Sequence, residues 1–182
     1  RIGAARPKTA LDVGCGEGRF CRMLRADGVD VIGLDPTAAL ITEARARDLD
    51  GPYVEGRAEA LPFAKDTFDA VVSYLSLIDI PDFRAGLAEM ARVLAPGGVL
   101  LIANLTGFTT ARIMHADAPH PPSDAYLDEF FKWEEWKGIR IQNWHRPLSA
   151  YMQTLLSLGL TLTHFDEPAP HSGQADRIER YR

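Results

Sequence analysis

Apolar residues along the chain fall into short blocks that alternate between two spacings. Ala10 to Val13 is an apolar run that stops at a glycine cluster and reads as a first strand. Arg19 to Arg25 sets Phe20 and Leu24 four apart, one face of a helix. Val29 to Leu34 is a second apolar run, closed by Asp35-Pro36, and Thr37 suits the N-cap of a helix through Arg47. Tyr53 to Glu55 predicts a short third strand. Phe68 to Ser73 predicts a fourth, nearly all apolar, as strands buried on both faces are. Asp82 then caps a helix in which Phe83, Leu87, Met90, Ala91 and Leu94 repeat at helical spacing. Pro96-Gly97-Gly98 reads as a turn and Val99 to Ala103 as a fifth strand.

Strands separated by helices of this length imply crossover connections and a mostly parallel sheet covered on both faces. The expected class is therefore α/β, a doubly wound, three-layer α/β/α architecture whose ligand lies at the carboxyl ends of the strands. Asp12, Asp35, Arg57 to Glu59, Ser73-Tyr74 and Asn104-Leu105 sit at or just past those ends. From Leu105 the alternation stops. A proline-bearing stretch (Pro119, Pro121, Pro122) leads into an aromatic and acidic run with Tyr126, Phe130, Phe131, Trp133 and Trp136. Ile139 to Trp144 reads as a strand, Pro147 opens a helix with Leu148, Met152, Leu155 and Leu156 on its apolar face, Gly159 ends it, and Thr161 to Phe165 reads as a last strand. The organisation predicted is one domain over 1–182, with 105–146 inserted as a lid over the substrate.

Composition narrows the function. At 182 residues, 46% hydrophobic and 25% charged, the chain can build a core without staples. The net charge of −5, with no basic stripe, argues against a nucleic-acid partner. No apolar run approaches the length of a membrane span. Cys15 and Cys21 have no metal-like spacing, and read as reduced thiols of a cytoplasmic protein. The histidines show no ligand pattern, and His115 and His120 fall on the proline-rich stretch, so no metal site is expected.

The chemistry is concentrated in Asp12-Val13-Gly14-Cys15-Gly16-Glu17-Gly18. Glycines let a turn take positive φ and let a ligand lie against bare backbone. The dinucleotide pattern G-x-G-x-x-G would need glycine where Arg19 stands, and no Gly-Lys pair supports a phosphate loop. An acid leading such a turn suits a ligand that is cationic or zwitterionic at that end. S-adenosylmethionine, with its sulfonium and amino-acid tail, has that chemistry.

On these residues the chain resembles the class I S-adenosylmethionine-dependent methyltransferases of the small-molecule type, from about Ala10 to Asp166. The resemblance implies that Asp12 lies near the methionine moiety and that Gly14, Cys15 and Gly16 pass under the ligand. It implies that Asp35 accepts from both ribose hydroxyls and that Pro36 packs on adenine. Gly56-Arg57-Ala58-Glu59-Ala60-Leu61-Pro62-Phe63 resembles the family's adenine loop, with Ala58 and Glu59 reading the base. Arg57 replaces the acid usual there, and cannot accept a hydrogen bond. Phe68 to Leu75 resembles the fourth-strand motif, placing Ser73 and Tyr74 beside the methionine end; Tyr74 could face the sulfonium or simply pack. The family also has a helical segment before the first strand and an antiparallel strand after Asp166, so further residues are expected beyond both ends.

Asn143-Trp144-His145-Arg146-Pro147-Leu148-Ser149 resembles an element that precedes the last helix in a subset of these enzymes. Two readings stand for it. His145 could take a proton from, or orient, the acceptor while Arg146 neutralises an anionic substrate; or both could fix the insert through backbone hydrogen bonds. Trp133, Trp136 and Trp144 likewise could enclose an apolar acceptor or pack the lid's own core. The function expected is methyl transfer from S-adenosylmethionine to a small molecule, with His145 and Tyr74 as candidate catalytic groups. The alternatives are a methyltransferase-like nucleoside-binding protein without catalysis, or a nicotinamide-dependent oxidoreductase.

Overall fold

The computed structural model describes residues 7–107, 110–111, 126–136 and 138–167. The elements are β1 (Thr9–Val13), α1 (Arg19–Ala26), β2 (Asp30–Asp35), α2 (Ala38–Arg47), β3 (Tyr53–Glu55), β4 (Phe68–Tyr74), α3 (Phe83–Val93), β5 (Leu94–Ala103), β6 (Phe130–Trp136), β7 (Ile139–His145) and α4 (Leu148–Ser157). β1 to β5 form one sheet in the order β3-β2-β1-β4-β5, with every pairing parallel. Chain order reverses at the β1–β4 boundary, and a crevice opens at the carboxyl ends of strands at such a point. The core is split by the sheet. Leu11, Val13, Leu34 and Val71 face α3 and α4, where Phe83 and Tyr151 meet edge-on at 4.9 Å. Ala10, Val31, Ala70 and Val72 face α1 and α2 with Cys21, Leu24, Ile41 and Ala44. The alternation of β1 puts Asp12 on the α1 side. Among the described residues no helix is long and apolar enough to cross a membrane.

Local signals end the helices as their sequences suggest. Asp82 accepts from the Ala85 amide at 3.0 Å at the head of α3. Beyond α4, Gly159 has φ +79°, and the amides of Gly159 and Leu160 return to Leu156 and Leu155. Thr37 heads α2 without a side-chain cap bond.

Three expectations are corrected. β5 begins at Leu94, which pairs with Phe68, and the Pro96–Gly98 turn is an excursion before pairing resumes at Ala70↔Val99. The aromatic run Phe130–Trp136 is itself a strand, paired antiparallel with β7 in a separate hairpin. Residues 161–167 are exposed and pair with no strand, although β5 ends the sheet order with one edge unpaired among the described strands. Most of the proline-bearing stretch, with His115 and His120, lies outside the described residues.

Candidate active site

The glycine turn is built on β2. The amides of Gly14 and Cys15 both donate to the Leu34 carbonyl, at 2.7 and 3.0 Å, which folds the end of β1 over its neighbour. Gly14 needs its φ of +78°, and a Cβ there would lie 2.3 Å from Cβ of Ser76. Gly16, at φ +56°, has nothing within 4 Å of where a Cβ would stand. The first glycine is closed in by protein and the second faces open space, a bare backbone shelf for a ligand.

Asp35 ties this shelf to the next element. Its Oδ2 accepts from the Gly16 amide at 3.0 Å and its Oδ1 from the Thr37 amide at 2.9 Å. Each carboxylate oxygen keeps a further lone pair, so the group can still grip a vicinal diol. Pro36 follows it and is exposed.

Asp12 forms the floor at 1% exposure. Cys21 Sγ donates to its Oδ2 at 3.3 Å, while Oδ1 is buried with no hydrogen-bond partner. Burial pushes the Asp12 carboxyl up to about 6; the Cys21 bond opposes the shift and the negative charge of Asp35 adds to it. A cation beside it would reverse that balance. Cys15 is buried in the turn, and Cys21 is held as a neutral thiol by the neighbouring Cys15 sulfur, burial and Asp12. An acid with one unpartnered buried oxygen, an open glycine shelf and a two-oxygen acceptor fit a cationic nucleoside ligand.

Ala58 is buried against the core and Glu59 is half-buried. Arg57, the departure from the family loop, reaches back to Glu59 Oε1 at 3.0 Å with its own side chain 62% exposed. Glu59 therefore already carries a cation on one oxygen.

The β4 end departs from expectation. Ser73 does not present its hydroxyl to a ligand: it is fully buried and shares a 2.7 Å hydrogen bond with Ser76, which donates to the Val13 carbonyl at 2.7 Å. The two serines lock β4 to the glycine turn. Tyr74 is 51% exposed and stacks on Phe20 of α1 at 5.5 Å, while Phe20 also packs, partly buried, against the core on the α1 side. Leu75 has φ +57°, uncommon for a branched residue, and its amide donates to Ala103. Asn104, just past β5, buries an Oδ1 without a hydrogen-bond partner.

His145 and Arg146 are packed inside. His145 is 0% exposed, with Nδ1 2.8 Å from the Thr110 hydroxyl and Nε2 3.0 Å from the Tyr126 carbonyl. A carbonyl only accepts, so Nε2–H donates there and neither nitrogen is left for an acceptor's proton. Arg146 donates to the carbonyls of Leu77, Ile80 and Pro81 at 2.8, 2.7 and 2.9 Å and lies 4.6 Å from the rings of both Phe83 and Trp144. In this arrangement it is not displayed to an anionic substrate; it clamps the loop after β4. The rings of Trp144 and Phe131 meet at a tilt, 4.7 Å apart, and Trp133 is 48% exposed under the Arg140 guanidinium. Trp136 ends β6, and its side chain lies outside the described residues. Among the described residues no group of His, Cys, Asp or Glu could hold a metal ion.

Comparison with known proteins agrees with this geometry. A family model described as a methyltransferase domain matches residues 11–102. The chain is 30% identical over 187 residues to a malonyl-[acyl-carrier protein] O-methyltransferase of Enterobacter lignolyticus, covering 97% of this chain and 72% of that one. It is 38% identical over 154 residues to a demethylmenaquinone methyltransferase of Beutenbergia cavernae, covering 76% of this chain and 64% of the relative. The chain thus spans roughly two thirds of these two relatives. A solved S-adenosylmethionine dependent methyltransferase from Mesorhizobium loti superposes with a TM-score of 0.78 at 26% identity, covering 98% of this chain and 87% of the other.

Proposed function

From the premise that this chain belongs to the S-adenosylmethionine-dependent methyltransferase family, we propose that the crevice over Gly16 and Asp35 moves a methyl group to a small-molecule acceptor presented from the β4–β5 side. The relatives named above are methyltransferases of malonyl-[acyl-carrier protein] and of demethylmenaquinone, which supports an organic acceptor here.

The residues divide the work. Gly16 gives the nucleoside an open backbone surface with Gly14 and Cys15 shaping the turn behind it, Asp35 takes the ribose diol, and Pro36, Ala58 and Glu59 border the base. Asp12 sits below the amino-acid end, where its unpartnered oxygen meets positive charge. Tyr74 and Phe20 wall the side towards the acceptor, and Ser73 holds β4 in place through Ser76. The bound sulfonium supplies a methyl group already activated for displacement and a leaving group that departs neutral. The chain's contribution is then alignment and exclusion of water.

The observation that carries this reading is Asp35, held by two amides on the edge of the open Gly16 shelf. Isothermal titration with S-adenosylhomocysteine tests it. Binding to the wild type, lost in large part in Asp35→Ala, is the expected result; no binding at millimolar ligand would remove the reading.

A further inference from the structure

The loop leaving β4 is fastened from outside on both sides of one acid. Arg146 bonds the carbonyls of Leu77, Ile80 and Pro81, and the Trp144 amide donates to the Ile78 carbonyl at 2.7 Å. The amide of Asp79 closes the turn onto Ser76 O at 2.9 Å, and Ser76 is the serine that anchors the glycine turn. The half-buried Asp79 side chain meets Asn143 Nδ2 of β7 at 3.5 Å, a long contact. The charged groups that bear on it are Asp35, at the ribose end, and Arg146. Asp79 is thus an acid on the loop that runs from the serine anchor of the glycine turn to the β6–β7 hairpin. Burial and the charge of Asp35 push its carboxyl up to about 7, against the pull of Asn143 and Arg146.

The surroundings discriminate between acceptors. An anionic acceptor would meet Asp35 and Asp79 with Arg146 turned to carbonyls and Arg57 paired with Glu59. A neutral hydroxyl meets an acceptor oxygen of the right kind.

Resting on the methyltransferase reading, we propose that Asp79 takes the proton of a neutral hydroxyl-bearing acceptor, a phenol or naphthol, and that this loop selects against carboxylate acceptors. The acceptor oxygen bonds to the methyl carbon as the carbon–sulfur bond breaks with its electron pair left on sulfur, and the hydroxyl proton passes to an Asp79 carboxylate oxygen.

The test is titration of 2-naphthol into the 182-residue chain saturated with S-adenosylhomocysteine, in wild type and Asp79→Asn. At about pH 8.5 the wild type should bind about tenfold more tightly than the variant, because the ionised acid makes the stronger hydrogen bond. At about pH 5.5 the two should match, since the amide mimics the protonated acid. S-adenosylhomocysteine affinity should be equal in both, which also shows the variant is folded. Equal naphthol affinity at both pH values, or binding of malonyl-pantetheine in preference to naphthol, overturns this proposal and leaves the cofactor reading intact. Absence of S-adenosylhomocysteine binding removes both.

Discussion

The two ends of the crevice are held by different means. At the cofactor end, backbone of adjacent strands does the work: the Gly14 and Cys15 amides reach Leu34, and Gly16 and Thr37 reach Asp35. Donors and acceptors there lie about twenty residues apart or fewer, and parallel pairing of β1 with β2 brings them together. At the acceptor end, Asn143 of β7 and Arg146 just after it cross 64 to 69 residues to fasten the loop after β4. A site built from backbone can be reached by local sequence pattern; one built from a distant guanidinium depends on how the hairpin docks.

Removing the distant clamp should give the largest effect. Arg146→Ala strands three carbonyls in the interior, and should cost about 4 kcal/mol in urea denaturation. Arg146→Lys should recover only part of this, because a point charge cannot bond three carbonyls in a plane. A loss under about 1 kcal/mol would mean that packing alone holds the acceptor end.

Next is the pH dependence arising from Asp12. Its folded value, about 6, lies above the ordinary one, so the folded state binds the extra proton. The contribution is whole below about pH 3.9 and is lost as pH rises through 6, about 3 kcal/mol in all. Asp12→Asn should flatten that part of the stability curve measured by denaturation from acid to neutral pH. If positive charge meets Asp12 in the complex, S-adenosylmethionine binding should also release protons near pH 6, visible as buffer-dependent heats; buffer-independent heats would place the sulfonium end elsewhere.

At the cofactor end, Asp35→Ala should weaken S-adenosylhomocysteine about 100-fold, through loss of charge-assisted bonds and of the Gly16 tether. Stability should change less than in Arg146→Ala, and the reverse order would collapse the contrast between the two ends. Smallest is Arg57→Ala: the ion pair with Glu59 is exposed, and stability should move by less than about 0.5 kcal/mol. A larger loss of nucleoside affinity would show that the pair shapes the adenine border.

Asp12, the glycines, Asp35 and the alternation of β1 to β5 were legible in the sequence because each is enforced locally, by φ, by strand period or by spacing from the previous turn. The same signals named His145, Arg146 and Ser73 without telling which way they face. Tertiary structure turned Ser73 onto Ser76, closed both nitrogens of His145 with Thr110 and Tyr126, and buried Arg146 among carbonyls. It also made a strand of the aromatic run Phe130–Trp136 and brought Asn143 of the hairpin to Asp79, a residue without a motif of its own. Local backbone geometry is written into neighbouring residues. The partners of His145, Asn143 and Arg146 lie 19 to 69 residues away, and those contacts exist only once the chain beyond β5 has folded back.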